Sequence, residues 1–503
     1  MTAAFWSFRS FTLAHRRGAG ETVLLQDVSL EVPAGAFYLL VGESGGGKSS
    51  LMRLCAGLLE AREPPPRTAG QLHCLGVPVH DGSPPALQRR IAAILQDEGL
   101  LDELTPRQNV ELALRAAGRS RRLAPALLAE VGLDPPPDRV AELSGGMKKR
   151  LAVARALAAD PDVLFCDEPL AGLDPEAARQ IAALLRRSHD ADPGRTTVVI
   201  THDVDAFTGL NDAMLVLDRQ ARSISLQPAG APWRPGNGSA PNGAGTDAGE
   251  ADGELLHGLR RRLLALAGIG ETVWQSVLRL PPVEPGQVLR AVVGCTVAPA
   301  PFVALSGAVI GGLATFFALR NNPIQGAFES ALLTGTGKVL CAVLVPLLSG
   351  FFFTARVAAG AAARLGTMTR TQQLSALRMM GIDPADYLLT PLVWGMVLAM
   401  PLVTLAGVVA ASFAAMLAAS SVSGITTVGW ATAWFRTVDA ADVRVIAVKA
   451  ALSGYLVAIT CFHLGTGPKR SGDDVGEAVN TSIVVAMALV LLVHAGLTFV
   501  VYA

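Results

Sequence analysis

From residue 291 to residue 503 the sequence contains five runs without Asp, Glu, Lys or Arg: residues 291–319, 339–355, 387–435, 450–468 and 478–503. A helix that crosses a bilayer needs about 20 mostly apolar residues, and in hydrocarbon its backbone polar groups must be satisfied within the segment. These runs therefore restrict the second half of the chain to a bundle of hydrophobic helices. The third run is long enough for two spans, with a break at residues 420–424, so the count is five or six. Loop charge does not choose. Five spans place Arg356, Arg364, Arg370, Arg378, Lys469 and Arg470 on the cytoplasmic side, opposite Arg320, Lys338, Arg436, Arg444 and Lys449. Six spans give a slightly stronger bias, with Arg436, Arg444 and Lys449 inside and Lys469 and Arg470 outside. Lys338 and Lys449 lie near span ends, where they are expected to snorkel. A charge deep in a span marks a path for a hydrophilic substrate. With so few polar groups, and Gly and Ala that allow close helix packing, a lipid-sized apolar cavity is the expectation.

What precedes these runs is different material. Residues 1–227 carry 25 basic and 28 acidic side chains, whereas residues 254–503, a slightly longer stretch, carry 16 and 11. Over all 503 residues, 42 Lys and Arg balance 42 Asp and Glu, which argues against a nucleic-acid partner, since that draws a basic excess. Residues 228–253 hold seven Gly and four Pro without apolar periodicity and read as a linker. The domains expected are thus residues 1–227, soluble, and residues 254–503, membranous. Just after the linker, Leu255, Leu259, Leu263, Leu266, Val273 and Val277 recur at helical spacing, with Arg260, Arg261 and Arg262 towards the polar side. This pattern predicts an amphipathic helix in the headgroup plane, its arginines on anionic lipid; a soluble helix packed on the first half is the alternative. The start of the chain lacks the apolar stretch of a signal peptide, so the first half is expected in the cytoplasm. Cys55, Cys74, Cys166, Cys295, Cys341 and Cys461 form no CxxC pair and read as buried free thiols.

Between residues 23 and 226, short β-branched or apolar runs alternate with helical ones, as in a mostly parallel sheet with ligand-binding loops at strand ends. One such run, residues 36–41, leads into Gly42-Glu-Ser44-Gly45-Gly46-Gly47-Lys48-Ser49-Ser50. This fits the pattern GxxxxGK[ST] in its strand–loop–helix context. The glycines let backbone N–H groups close on phosphates, Lys48 reaches the β- and γ-phosphates, and the Ser49 hydroxyl binds Mg²⁺. The apolar run of residues 163–166 ends in Asp167 and Glu168. There Asp167 is suited to hold Mg²⁺ through water, and Glu168 to orient and deprotonate an attacking water.

Between these motifs lies Leu143-Ser144-Gly145-Gly146-Met147. It resembles the signature motif of ABC-transporter ATPases, a resemblance that covers about residues 8–226. The resemblance implies ATP and Mg²⁺ as ligands and assigns further roles. Gln96 matches the Q-loop that touches Mg²⁺ and the membrane subunit, Leu173-Asp174 the D-loop, and His202 the switch histidine at the γ-phosphate. Met147 stands where many members have Gln, a change shared with the lipid-transporting branch, and the usual adenine-stacking aromatic falls near His15. One P-loop and one signature per chain imply a homodimer, because each nucleotide lies between the P-loop of one copy and Ser144, Gly145 and Gly146 of the other.

Arg364-Leu-Gly-Thr-Met368, then Gln372 to Pro384, then Tyr387-Leu-Leu-Thr-Pro391, resemble the MlaE permease family, with Gly472-Asp-Asp-Val-Gly476 and Asn480-Thr481 extending the match. The resemblance covers about residues 257–503 and implies an interfacial helix and five spans, which settles the count in favour of five. The expected fold is an α/β P-loop ABC ATPase domain followed by an all-α membrane domain. The chain is thus similar to a MlaF-like ATPase fused to an MlaE-family permease, in the bacterial inner membrane. The implied function is ATP-driven movement of phospholipid, with a periplasmic MCE-domain (MlaD-like) partner and, less directly, a STAS-domain regulator. An ATPase that signals across the membrane without transport, or a transporter of another hydrophobic compound, remains open. The basic loop of residues 364–384 is the expected coupling element, Arg370, Gln372 and Arg378 meeting the ATPase near Gln96. Much of the family has Glu in place of Arg364, which predicts a complementary acid among Asp97, Glu98, Asp102 and Glu103.

Overall fold

The computed structural model describes residues 4–17, 20–58, 66–79, 87, 89–231, 269, 270, 273, 285–321, 329–423, 425–469 and 471–502. The chain forms two compact units, one of residues 1–248 with 368–383 and one of residues 249–367 with 384–503. Sixteen residues from within the membranous half thus pack as part of the first unit. Most of the linker and of the expected amphipathic helix lies outside the described residues.

In the first unit the described strands are β1 (Ala4–Arg17), β2 (Gly20–Pro33), β3 (Phe37–Gly42), β4 (Arg67–Cys74), β5 (Val77–Pro78), β6 (Ile91–Ile94), β7 (Val163–Asp167), β8 (Thr196–Ile200), β9 (Ala213–Asp218) and β10 (Ser223–Pro228). Among the described residues they make a four-stranded antiparallel sheet, β2-β1-β4-β5, and a six-stranded sheet, β10-β9-β3-β8-β7-β6. Within the latter, β9, β3, β8, β7 and β6 run parallel and β10 antiparallel. The central strands are apolar throughout because both faces are covered. Phe37, Leu39 and Val41 point into one core, while Tyr38 and Leu40 point into another. The same alternation splits Leu164 and Cys166 from Val163 and Phe165, the period of two that a strand imposes. The helices include α1 (Lys48–Ala56), α2 (Pro106–Ala116), α3 (Ala124–Glu130), α4 (Gly145–Leu157) and α5 (Pro175–Asp190). The hydroxyl of Thr105 caps α2 in a capping box with Gln108, which satisfies amide groups that the first turn leaves free.

In the second unit, five helices among the described residues are long and apolar enough to cross a membrane: Ala300–Arg320, Ala331–Arg370, Ala385–Val422, Ala440–Gly465 and Gly472–Tyr502. Only the last three residues of the second, 368–370, belong to the first unit. The ambiguous third run is resolved by its own length. It forms one long helix, followed by Thr427–Thr437, which at 11 residues is too short to span. That short helix turns Trp430 and Trp434 inward, stacked with ring centroids 4.9 Å apart, against Leu319, Leu333, Ala415 and Ala419. The first and third spans approach closely. A Cβ at Gly307 would sit 2.5 Å from the Gly407 carbonyl oxygen, and one at Gly311 closer still to that of Ala411. Small residues at such a crossing let dispersion between backbones hold helices together where hydrocarbon supplies no hydrophobic drive. Leu305, Val309, Phe413, Val484, Leu492 and Phe499 are exposed on the unit's surface.

The expectation that Lys338 and Lys449 snorkel fails for Lys449, which is 0% exposed. Its Nζ donates to Thr498 Oγ1 at 2.7 Å and lies 5.2 Å from the centroid of the Tyr502 ring. Lys338 instead pairs with Asp442 at 3.0 Å, and the Tyr502 hydroxyl donates to the same carboxylate at 2.6 Å. Burial between helices, with neutral acceptors and a nearby ion pair, replaces the route to the interface. All six cysteines are free, five buried and Cys295 half-buried.

Gly307→Val should force the first and third spans apart and cost about 1–3 kcal/mol, as overpacking does. A lowered midpoint of thermal unfolding in detergent is the expected result; an unchanged one contradicts this packing.

Candidate functional site

The parallel order β3-β8-β7 brings the carboxyl ends of three strands side by side, and every chemically suggestive motif of the first unit but the signature and Q-loop leaves from one of them. The loop after β3 runs into α1, with Gly47 in the N-cap position at φ +101°. A side chain there would be strained, and its Cβ would lie 2.9 Å from Leu24. At Gly45 there is open space, with nothing within 4 Å of a built Cβ. Lys48 is buried, its Nζ donating to the carbonyls of Gly42 at 2.8 Å and Glu43 at 3.0 Å. Burial pulls its ammonium below the usual value, while Glu168 and Asp167 oppose that shift. Next to it, Ser50 Oγ meets His15 Nε2 at 2.9 Å, which places His15 beside the loop.

Ser49 Oγ donates to Asp167 Oδ1 at 3.0 Å. Burial pushes the Asp167 carboxyl above its usual value, against the pull of this hydrogen bond and of Arg53 and Lys48. A hydroxyl and a carboxylate this close, flanked by a buried ammonium and a glycine loop with room beside it, fit Mg²⁺ and a polyphosphate: oxygen donors for the hard cation, N–H groups and a cation for the anion. Glu168 follows at φ +49°, an uncommon conformation for a residue with a side chain. Its N–H bonds Ile200 O at 2.9 Å, and its Oε1 lies 2.9 Å from His202 Nε2. Glu168 and His202, from the ends of β7 and β8, are thus joined across the sheet edge and remain partly exposed.

Ser144 caps α4, its Oγ accepting from Met147 N–H at 3.3 Å. Gly145 and Gly146 of the first turn face Leu173 and Ala177. Asp174 caps α5, accepting from Glu176 and Ala177 N–H at 3.0 and 2.9 Å. The structure therefore gathers Gly42, Ser44, Gly45, Gly46, Gly47, Lys48, Ser49, Ser50, Asp167, Glu168 and His202 at one sheet edge. Ser144 and Asp174 instead form a second cluster at two helix N-termini.

Gln96 is exposed, and its carbonyl accepts from Lys149 Nζ at 2.8 Å. The loop that follows it receives residues 372–380. A Cβ at Gly99 would lie 2.8 Å from Gln372 O and 2.9 Å from the Ala376 methyl. Gln373, 3% exposed, donates to Asp102 Oδ2 at 3.0 Å. Of the four acids expected to complement Arg364, Asp102 instead accepts from Gln373 and Glu98 pairs with Lys149. Met379 and Met380 pack against the two cores of the six-stranded sheet. Sequence reasoning singled out the basic loop but missed Gln373, Gly99, Lys149 and Arg155.

A P-loop, a carboxylate pair and a histidine at the ends of β3, β7 and β8, with a capped Ser-Gly-Gly helix apart from them, define a P-loop ATPase of the ABC-transporter class. Residues 25–171 match the family model described as ABC transporter, and residues 288–500 match that of Permease MlaE. The chain therefore carries an ABC-transporter ATPase domain, which binds ATP with Mg²⁺, followed by an MlaE permease domain. Similar curated proteins include the methionine import ATP-binding protein MetN of Brucella abortus (strain 2308), 41% identical over 212 residues, which are 40% of this chain and 55% of that protein. The protein of the same name in Nocardia farcinica is 38% identical over 219 residues, 42% of this chain and 63% of that one. The chain thus spans little more than half the length of these curated relatives. Among solved structures, a dimeric ATP-binding cassette in a post-hydrolysis state with ADP and Pi is similar at 26% identity and TM-score 0.39, covering 44% of this chain and 98% of that one. A nucleotide-free cassette from an ABC transporter is similar at 23% identity and TM-score 0.37, covering 45% and 92%.

Lys48→Ala should weaken binding of a fluorescent ATP analogue by about 10–100-fold, the loss of a charge-assisted hydrogen bond. Unchanged affinity would show that the phosphates lie elsewhere.

Proposed function

We propose that this chain is a fused half-transporter that homodimerises in the bacterial inner membrane and uses ATP to move phospholipid or a closely similar lipid. The observation that carries the reading is the packing of residues 372–380, which come from within the permease sequence, as part of the ATPase unit, with Met379 and Met380 against its two cores. Rearrangement of the ATPase around nucleotide must act on that segment, and peptide bonds join it to the second and third spans.

In this mechanism Lys48 and the loop N–H groups would hold the phosphates of ATP, and Ser49 with Asp167 would hold Mg²⁺, Gln96 being a further ligand that rests on family resemblance. Glu168 takes a proton from the attacking water, and the 2.9 Å contact with His202 keeps its carboxylate oriented until His202 turns to the γ-phosphate. Ser144 caps the helix that Gly145 and Gly146 open, beside Leu173 and Ala177. Ser144, Gly145 and Gly146 suit the γ-phosphate bound by a second copy, where the N-terminus of α4 adds N–H donors. A Cβ at Gly145 would lie 3.7 Å from the Leu173 side chain, which supports a role for the neighbouring Asp174 in relaying closure between the two sites.

Substrate choice belongs to the membrane half. The MetN-named relatives share only the ATPase part, about 40% of the chain, so their methionine says little about what these spans accept. The match to the MlaE model and the apolar character of the spans support a lipid. The half-buried Lys338 and the buried Asp442 and Lys449 bond to one another, to Thr498 and to Tyr502 across three spans, and so tie helices together rather than line a polar route. A periplasmic MCE-domain partner and a STAS-domain regulator are proposed on family resemblance.

The purified protein in vesicles, with its acceptor present, should transfer fluorescent phospholipid only with Mg-ATP. Glu168→Gln should bind ATP, hold the dimer closed and abolish turnover. ATP hydrolysis without lipid binding or transfer would reject the lipid reading, and turnover retained by Glu168→Gln would reject its catalytic role.

A further inference from the structure

The loop after Gln96 has an unusual support. Glu98 and Gly99 both adopt positive φ, +50° and +58°, a conformation that turns their carbonyls away from a regular ladder. Two buried cations of α4 hold this loop. Arg155, 5% exposed, donates from Nη1 to Gly99 O at 2.5 Å and from Nη2 to Glu98 O at 2.6 Å. Lys149, 3% exposed, donates to Gln96 O at 2.8 Å and pairs with the Glu98 carboxylate at 2.7 Å. Both cations lie on the helix whose N-cap is Ser144. On its other side the same loop carries Gly99 under Gln372 and Ala376, and the adjoining Asp102 bound to Gln373.

Against this tight side stands a loose one. A cavity of about 300 Å³ lies beside the 372–380 segment, lined by Ala93, Ala116, Arg155, Ala376, Met379 and Met380 among others. The segment is therefore wedged against the loop and has free volume where it meets β6 and the end of α2. Incomplete packing leaves an element able to shift, so the attachment through the loop decides which body the segment follows. Arg155 is suited to the task because its planar fork spans two carbonyls at fixed spacing, which a lysine cannot do. Burial lowers its guanidinium to about 10, with Glu98 opposing, so it stays charged at neutral pH.

We propose that Arg155 and Lys149 are positioning residues that lock the Gln96–Gly99 loop to the signature helix, so that the permease segment of residues 372–380 moves with Ser144 of its own chain. This deepens the transport reading and rests on it. ATP held by one copy engages the signature of the other, and the lock delivers that movement to the other copy's spans. Each nucleotide thereby acts on the permease of the chain that contributes the signature.

The test uses the full-length dimer in nanodiscs, with Glu168→Gln to retain ATP, and amide hydrogen exchange of residues 42–50 and 372–380 with and without Mg-ATP. ATP should change exchange in both segments. Arg155→Lys, which keeps the charge and loses the fork, should retain the change at residues 42–50 and lose most of it at residues 372–380. Lys149→Met should act in the same direction, which guards against misfolding of one variant. If both variants keep the full ATP-induced change at residues 372–380, or if the parent shows none there, the lock is overturned. A failure of lipid transfer with these exchange changes intact would instead remove the transport reading and leave the lock standing.

Discussion

The hydrogen bond from Ser49 to Asp167 spans 118 residues of sequence, and the rest of the nucleotide site is arranged around it. It exists because β8 pairs in parallel with both β3 and β7, so that the ends of strands far apart in the chain open onto one edge. Parallel pairing of this kind needs both sheet faces covered, which the two cores around Phe37 and Tyr38 supply. The apolar packing thereby fixes the spacing of the polar groups. Lys48, Asp167, Glu168 and His202 owe their mutual distances to strand register more than to contacts among themselves.

How much of this was legible in the sequence follows from how local each signal is. The P-loop, the Asp167-Glu168 pair and the signature are short strings with built-in geometry, and each lies at the strand end or helix start where its pattern places it. The five spans were legible as charge-free runs, except where run length allowed two answers. There the short Thr427–Thr437 helix, held by Trp430 and Trp434, decided the count, and nothing in composition foretold that stacking. Lys449 was misread because position near a span end says nothing about neighbouring helices. A Thr and a Tyr from the last span gave it partners that only tertiary structure supplies. Gln373, Gly99 and Arg155 were invisible for the same reason. Arg155 bonds to backbone carbonyls, which carry no sequence signature.

The assignment of residues 368–383 to the ATPase unit gives the fusion its physical meaning. The 26-residue Gly- and Pro-rich stretch of residues 228–253 connects the halves in sequence, and residues 368–383, from within the second half, pack with the first unit. The segment, with Leu377 0% exposed and the half-buried Met379 and Met380 packed against the sheet's two cores, is the contact through which the proposed coupling runs.

The central claim is that each ATP is shared between two copies, P-loop from one and signature from the other. Mixed dimers of a Lys48→Ala chain with a Ser144→Arg chain test it most directly, by ATPase turnover after tandem affinity purification of the mixed species. Each variant alone should be inactive. If the sites are shared, the mixed dimer holds one doubly damaged site and one intact site, and turnover should return. If the mixed dimer is as inactive as either parent, the shared-site account is contradicted.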